Sequence, residues 1–371
     1  MKAGPATHRG RGASANPANR FAKVTLERDA DWNPEEDISP RTQLIADASA
    51  SVITYNDSPD IGFDASINVY RGCEHGCAYC YARPYHEYLG FSSGLDFETK
   101  IVVKYNAPEL LRAELSSPKW KPQVLAMSGV TDCYQPAERK LQLTRRVLEV
   151  LLEFRNPVGI VTKNHLVTRD VDLLAQLAKL NCVVVYVSIT TLDAELTPKL
   201  EPRASLPKMR LAAIKTLREA GVQVGVLLAP MIPGLNDHEM PKIIAAAAEA
   251  GAQSAGFIPL RLPFAVKDIF SDWLTRHFPD RKENVLNRIR SLRGGKLNDA
   301  NFNSRMRGEG VWAEQLQQMF HVAARKHGLN QRDYDLSTAH FISSSYPLGE
   351  HSFACANGGT TAKKRRPTTP L

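Results

Sequence analysis

Gly72-Cys73-Glu74-His75-Gly76-Cys77-Ala78-Tyr79-Cys80 spaces three cysteines as C-x3-C-x2-C, and half of the chain's six cysteines lie in this one loop. Iron-sulfur clusters are held by cysteine thiolates, so three thiolates account for three irons of a four-iron cluster and leave the last open to an outside ligand. A competing reading assigns the loop to zinc, with Cys73, Cys77, Cys80 and either His75 or His86 completing a four-coordinate site. Cys77 and Cys80 have the C-x2-C spacing usual for zinc, but the second ligand pair of such sites is not evident. A disulfide framework fits least: the first residues lack the apolar core of a secretory leader, which predicts a reducing, cytoplasmic location where disulfides are rare.

Outward from the loop, short β-rich runs alternate with amphipathic helical ones. A first strand runs through Ile67-Asn68-Val69-Tyr70 into the cysteines, and a helix is expected near Arg83 to Leu89. Further strands are predicted at Val124 to Ser128, Gly159 to Thr162, Val183 to Ile189, Val222 to Leu228 and Ser254 to Pro259. Helices are predicted at Glu138 to Phe154, Asp170 to Lys179, Ser205 to Ala220 and Asp237 to Ala250; Leu141, Val147, Leu148 and Leu151 give the first of these an apolar stripe. Such βα units predict an α/β protein with a parallel sheet. Periodicity does not separate a closed or partial barrel from an open doubly wound sheet. In a parallel barrel, chemistry belongs at the C-terminal strand ends. Those ends carry the cysteine loop, Ser128-Gly129-Val130-Thr131-Asp132-Cys133, Thr162-Lys163-Asn164, Ser188, and Ala229-Pro230-Met231-Ile232-Pro233-Gly234.

The cysteine spacing, with aromatic Tyr79 directly before the third cysteine, resembles the signature of the radical S-adenosylmethionine (SAM) superfamily. Between about residues 68 and 259, Thr131-Asp132, Thr162-Lys163, Ser188, Glu201-Pro202 and Ala229-Pro230 follow one another in an order similar to that of the spore photoproduct lyase group of DNA-repair enzymes. The resemblance implies a partial (βα)6 TIM-like barrel and a [4Fe-4S] cluster on Cys73, Cys77 and Cys80. It also implies SAM on the open iron and a one-electron reductant such as flavodoxin or ferredoxin. Reductive cleavage of SAM would yield a 5′-deoxyadenosyl radical that takes hydrogen from a substrate. The implied SAM-pocket positions are Thr131, Lys163, Ser188 and the backbone of Ala229, with Tyr79 beside the adenine. The side chains suit those roles: hydroxyls can bond the ribose or amino-acid end of SAM, and a lysine ammonium can meet its carboxylate. Arg203 is expected to meet either SAM or Glu201.

One departure separates the chain from the lyase, which uses a cysteine just after the second strand as hydrogen-atom donor. The matching stretch here reads Ser128-Gly129-Val130. Cys133, a few residues on, is the remaining candidate for a catalytic donor, against the common alternative of a small buried thiol. Cys182 precedes the fourth strand and reads as core, and Cys355 has no assigned partner.

The formal charge of +8 is unevenly spread. Residues 261–332 hold 14 Lys/Arg against 7 Asp/Glu, residues 1–30 hold 6 against 2, and Lys363 to Arg366 are four consecutive cations. A peripheral basic surplus suits a nucleic-acid partner through phosphate contacts, or a solvated basic surface. The expected organisation is a flexible basic arm (1–40), a radical SAM partial barrel (60–262), a helical basic region (263–358) and a disordered basic tail (359–371). In the helical region, Trp273 to Phe278, Asn284 to Leu292 and Trp312 to His327 read as helices. The Gly-containing runs Arg293 to Lys296 and Arg305 to Gly308 suit backbone approach to phosphate, with Arg305 and Arg307 favoured, and His351 and the residues near Tyr346 are expected at the barrel mouth. No apolar run approaches the roughly 18 residues of a membrane span. The expected function is a radical SAM enzyme acting on nucleic acid. Two alternatives stand beside it: the same chemistry on a protein or metabolite, and a non-catalytic zinc- or cluster-bearing nucleic-acid-binding protein.

Overall fold

The structure is a computed structural model that describes residues 8–22, 40–331 and 335–343. Expectations for Tyr346, His351, Cys355 and the basic tail lie outside the described residues. In chain order the strands are β1 (Gln43–Ala46), β2 (Ile53–Tyr55), β3 (Ala65–Ile67), β4 (Tyr70–Arg71), β5 (Lys100–Val103), β6 (Leu125–Met127), β7 (Val158–Thr162), β8 (Val183–Ser188), β9 (Gln223–Met231) and β10 (Ser254–Pro259). The helices are α1 (Leu95–Thr99), α2 (Ala107–Leu115), α3 (Glu138–Leu141), α4 (Leu143–Phe154), α5 (Val171–Lys179), α6 (Thr197–Leu200), α7 (Pro207–Glu219), α8 (Met240–Glu249), α9 (Val266–His277), α10 (Lys282–Leu292), α11 (Ser304–Arg307) and α12 (Val311–Lys326).

Six strands, β3, β6, β7, β8, β9 and β10, lie side by side in sequence order and all pair in parallel. That order has no reversal point, which a doubly wound sheet requires. Right-handed crossovers then put successive helices on one face, and the sheet curls toward a partial barrel. The ambiguity left by periodicity is resolved here by hydrogen-bond partners. β2 adds antiparallel to β3, while β1, β5 and β4 form a separate three-stranded sheet.

Local sequence explains the elements. β8, Val183-Val184-Val185-Tyr186-Val187-Ser188, is a β-branched run with all residues but Tyr186 buried, the pattern of a strand covered on both faces. In α4, Thr144, Val147, Leu148, Leu151 and Phe154 recur at helical spacing and are buried against the sheet. The single helix expected over Glu138 to Phe154 is broken at Gln142, whose φ of +49° lies in the left-handed region. β9 runs to Met231, so Ala229-Pro230 lie inside the strand instead of beyond it. The first strand ends at Ile67, and Tyr70 belongs to the small sheet.

The C-terminal helices pack against the barrel. Leu316, Phe320 and Ala323 of α12 join the main apolar core, with the Phe320 ring 4.9 Å from that of Phe257 on β10. Val266, Phe270 and Trp273 of α9 and Val285, Leu286 and Ile289 of α10 form a second core with Cys77, Ala78 and Tyr79. The apolar flank of the cysteine loop is thus packed by helices that follow the barrel in sequence.

Part of the stretch expected as an N-terminal arm is held in place. The N–H groups of Gly12 and Ala13 donate to the Glu98 carboxylate at 3.1 and 2.9 Å, Arg11 donates to the Glu98 carbonyl at 2.8 Å, and Arg276 of α9 donates to the Gly12 carbonyl at 2.9 Å. Residues 8–22 therefore bridge the cysteine loop and α9.

Candidate active site

The cysteine loop spans the gap between β4 and the 3-10 helix Arg83–Leu89, which was expected as a helix. Gly72 and Gly76 adopt φ of +85° and +69°, conformations costly for other residues. A Cβ at Gly76 would also lie 2.8 Å from Glu98 Oε2, so the glycine permits close approach as well as the turn. Arg83 is fully buried and clamps the loop: its Nε and Nη2 donate to the Cys77 carbonyl at 3.0 and 2.8 Å, and Nη2 donates to Glu98 Oε1 at 2.6 Å.

Cys73 and Cys77 are buried, Cys80 is partly exposed, and all three thiols are free of disulfides. Burial pushes the Cys73 thiol well up, and the negative fields of Asp132, Cys77 and Cys80 add to the rise. Burial likewise raises Cys77 and Cys80. Three thiols in one loop that resist ionisation alone are a donor set for a metal centre, which stabilises thiolates and releases their protons. The residues fit an iron-sulfur cluster.

The two histidines of the zinc alternative have other neighbours. His75 turns Nδ1 toward Asp132 Oδ2 at 3.4 Å and Nε2 toward Asn164 Nδ2 at 3.2 Å. Burial holds His75 below its ordinary pKa despite Asp132, so the neutral ring accepts from Asn164 at Nε2 and keeps its proton on Nδ1. His86 packs between the rings of Phe91 and Phe97. Among the described residues no three His, Cys, Asp or Glu side chains, the loop cysteines included, gather closely enough to hold one ion, so this does not separate zinc from a cluster.

Three of the five nominated SAM-pocket positions converge. Lys163 Nζ donates to Ser188 Oγ at 2.8 Å and to the Ala229 carbonyl at 3.3 Å, and Ser188 Oγ donates to the same carbonyl at 3.3 Å. Lys163 Nζ also lies 5.9 Å from the centroid of the Tyr79 ring, joining the group to the cysteine loop. The strand register accounts for the meeting: Thr162 pairs with Val187 and Ser188 with Leu227, so β7 and β8 end at nearly the same level and β9 runs on past them to carry Ala229.

The other two have protein partners. The Thr131 hydroxyl donates to the Tyr70 carbonyl at 3.1 Å, and the Tyr79 hydroxyl donates to Glu201. Glu201 is buried and also accepts from Thr190 and Arg210. Burial alone would raise this carboxyl, but Arg210, Lys163 and the two hydroxyls outweigh it and lower the pKa to about 2. Arg203 meets Glu74 at 3.0 Å instead of Glu201. Cys133 is only 2% exposed and belongs to the main apolar core; burial and Asp132 push its thiol well up. Its N–H donates to Ser128 Oγ, and its carbonyl accepts from Thr144.

Asp132 is the central residue that sequence reasoning passed over. It accepts from Thr162 Oγ1 at 2.8 Å, the Lys163 N–H at 2.7 Å and the Tyr134 N–H at 2.9 Å, beside its contact with His75. One carboxylate thus joins the loops after β4, β6 and β7. Its place next to nominated Thr131 in a strand-end motif was the available signal.

The family model described as the radical SAM superfamily matches residues 67–247. An uncharacterised protein of Mycobacterium tuberculosis is 38% identical over 232 residues, 62% of this chain and 67% of its own length. An uncharacterised protein of Methanocaldococcus jannaschii is 34% identical over 173 residues, 47% of this chain and 62% of its own. Among solved structures, spore photoproduct lyase complexed with dinucleoside spore photoproduct superposes with a TM-score of 0.57 at 16% identity, covering 77% of this chain and 80% of that one. A form of the lyase with bound AdoMet and the same dinucleoside gives a TM-score of 0.56 over the same shares. At that identity the likeness is one of fold.

Proposed function

This chain belongs to the radical SAM superfamily, and from that membership we propose an enzyme that binds a [4Fe-4S] cluster through Cys73, Cys77 and Cys80, cleaves SAM, and abstracts hydrogen from a nucleic-acid substrate. The observation that carries the reading is the juxtaposition of a buried three-thiol loop with the Lys163, Ser188 and Ala229 group at adjoining strand ends. When bound, the cluster supplies the electron that cleaves SAM and starts hydrogen abstraction.

The chain's own residues supply position and charge. Lys163 offers an ammonium to a carboxylate, with Ser188 and the Ala229 carbonyl orienting its donors. Glu201, held ionised, orients the Tyr79 hydroxyl. Arg83 and Glu98 hold the loop backbone, and residues 8–22 cover part of it, which limits water around reactive intermediates. Cys133 takes no assigned donor role in this reading.

Nucleic acid is favoured as substrate by the peripheral basic charge and by exposed rings. Phe21 and Tyr88 lie 4.9 Å apart, and Arg20 stacks 3.7 Å from the Phe264 centroid, the kind of aromatic and cationic surface on which bases stack. A low-potential electron donor of the flavodoxin or ferredoxin type completes the reaction. No helix among the described residues is long and apolar enough to cross a membrane.

Anaerobic reconstitution with iron and sulfide, reduction, and assay for 5′-deoxyadenosine test the proposal. The wild type should form it, and Cys73→Ala, Cys77→Ala and Cys80→Ala should each lose iron and activity together. A reduced, iron-loaded wild type that leaves SAM intact would sink the reading.

A further inference from the structure

Three arginines gather where β10 ends. Arg293 is 4% exposed and donates to four backbone carbonyls: Pro259 at 3.3 Å, Leu260 at 3.0 Å, Ser304 at 3.0 Å and Arg305 at 2.9 Å. It ties the strand end to α11. Arg305 donates to Asp60 Oδ2 at 2.5 Å and to Ser58 Oγ at 2.5 Å, and the other Asp60 oxygen accepts the Asn303 N–H. Both arginines therefore have oxygen partners.

Arg261 differs. Its recorded hydrogen-bond partner is the Met306 sulfur, 3.1 Å from Nη1, a weak acceptor for a cation with five N–H donors. Its Nε, like that of Arg293, is buried with no partner among the described residues. The guanidinium carbon lies 5.8 Å from the centroid of the Tyr81 ring, directly after Cys80, and Tyr81 reaches across to donate to the Gly129 carbonyl at 2.6 Å. Arg261 thus stands at the rim shared by the cysteine loop, the loop after β6 and the end of β10.

A half-buried guanidinium with no oxygen acceptor among the described residues is costly, since charge removed from water must be offset by charge-assisted hydrogen bonds, and Asp60 acts on Arg261 only through space. Burial and the like charge of Arg305 both hold Arg261 below the usual arginine range, while burial and Arg261 bring Arg293 down to about 10. An oxyanion would relieve this strain, and guanidinium geometry matches two oxygens of a phosphate.

We propose that Arg261 binds a phosphate group of the substrate at the barrel rim beside Tyr81. The inference deepens the nucleic-acid reading above and rests on it only for the source of the phosphate. It also redirects the sequence-based choice of Arg305, whose oxygen contacts are already made.

Equilibrium binding of a fluorescein-labelled 12-nucleotide single-stranded DNA to the full-length reconstituted protein tests it, compared with thermal stabilisation by inorganic phosphate. R261Q should weaken DNA binding about tenfold and flatten the salt dependence by roughly one phosphate contact. R218Q, a change at an exposed arginine near the C-terminal end of α7, should bind within about twofold of wild type. Should R261Q not fold, R261K serves, because an ammonium lacks the two-pronged geometry. If wild type ignores DNA yet phosphate raises the melting temperature of wild type and not of R261Q, the phosphate site stands and the nucleic-acid substrate falls. Equal responses of wild type and every folded Arg261 variant to both probes would overturn the proposal. None of these readouts needs SAM turnover, so failure of the enzyme reading is scored separately.

Discussion

Gly12 and Gly76 meet backbone to backbone: a Cβ on Gly12 would lie 1.8 Å from the Gly76 carbonyl oxygen and 3.0 Å from the Ala78 nitrogen. The N-terminal segment is therefore seated on the cysteine loop more closely than any side chain allows. The contact joins residues 64 positions apart in a loop whose cysteine geometry depends on its backbone.

Gly12→Ala should displace either the segment or the loop, because both clashing groups are backbone. The expected cost is about 1–3 kcal/mol, as for other overpacked sites. Iron bound per chain after reconstitution should fall with it, and chemical denaturation measures the stability loss. Unchanged iron content would mean that the segment is not needed to hold the loop.

Glu98 faces Arg83 in full burial and also takes the Gly12 and Ala13 N–H groups. Replacing one partner of such a pair leaves the other charge uncompensated, so Glu98→Gln should cost about 3–5 kcal/mol in denaturant unfolding. Arg83→Met should cost a similar amount. The double variant should cost less than the sum of the two, since it removes both charges.

Glu201 links stability to pH. Its pKa of about 2 in the fold lies below the ordinary 4.5, so its stabilising contribution is present above the ordinary value and is lost as pH falls from there through about 2. A few kcal/mol on this scale corresponds to the shift. Urea midpoints between pH 5 and about 2.5 should therefore fall more steeply for wild type than for Glu201→Gln, with Glu201→Gln the less stable at pH 7. Parallel curves would count against the assignment.

Lys163→Met should raise the Kd for SAM at least about tenfold, the scale of one charge-assisted contact, while leaving iron content near wild type. Ser188→Ala should have a smaller effect in the same direction, since it removes one orienting hydroxyl. Equilibrium dialysis with labelled SAM separates binding from turnover. Loss of iron in Lys163→Met would instead assign the lysine to the cluster loop.

Cys133→Ala should leave both SAM cleavage and substrate product intact and cost about 1 kcal/mol of stability, the order expected for trimming a small buried side chain. Normal 5′-deoxyadenosine formation with altered substrate product would restore the hydrogen-donor role.

The cysteine loop, the βα alternation and the strand-end positions of Lys163, Ser188 and Ala229 were legible in the sequence. Cysteine spacing is set by the covalent chain, and periodicity reports which faces are buried. The six-strand order was not legible, because a helix-covered parallel strand has the same apolar pattern in a barrel and in an open sheet. Nor was the role of Asp132, whose hydrogen-bond donors come from three loops, or the difference between Arg261 and Arg305, which depends on where Asp60 and Met306 fall. By itself, then, the sequence determined that three thiols share a loop at the start of a βα repeat. Only the tertiary structure decided what surrounds them, because contacts between residues far apart in the chain depend on strand order, register and the packing of segments from both ends.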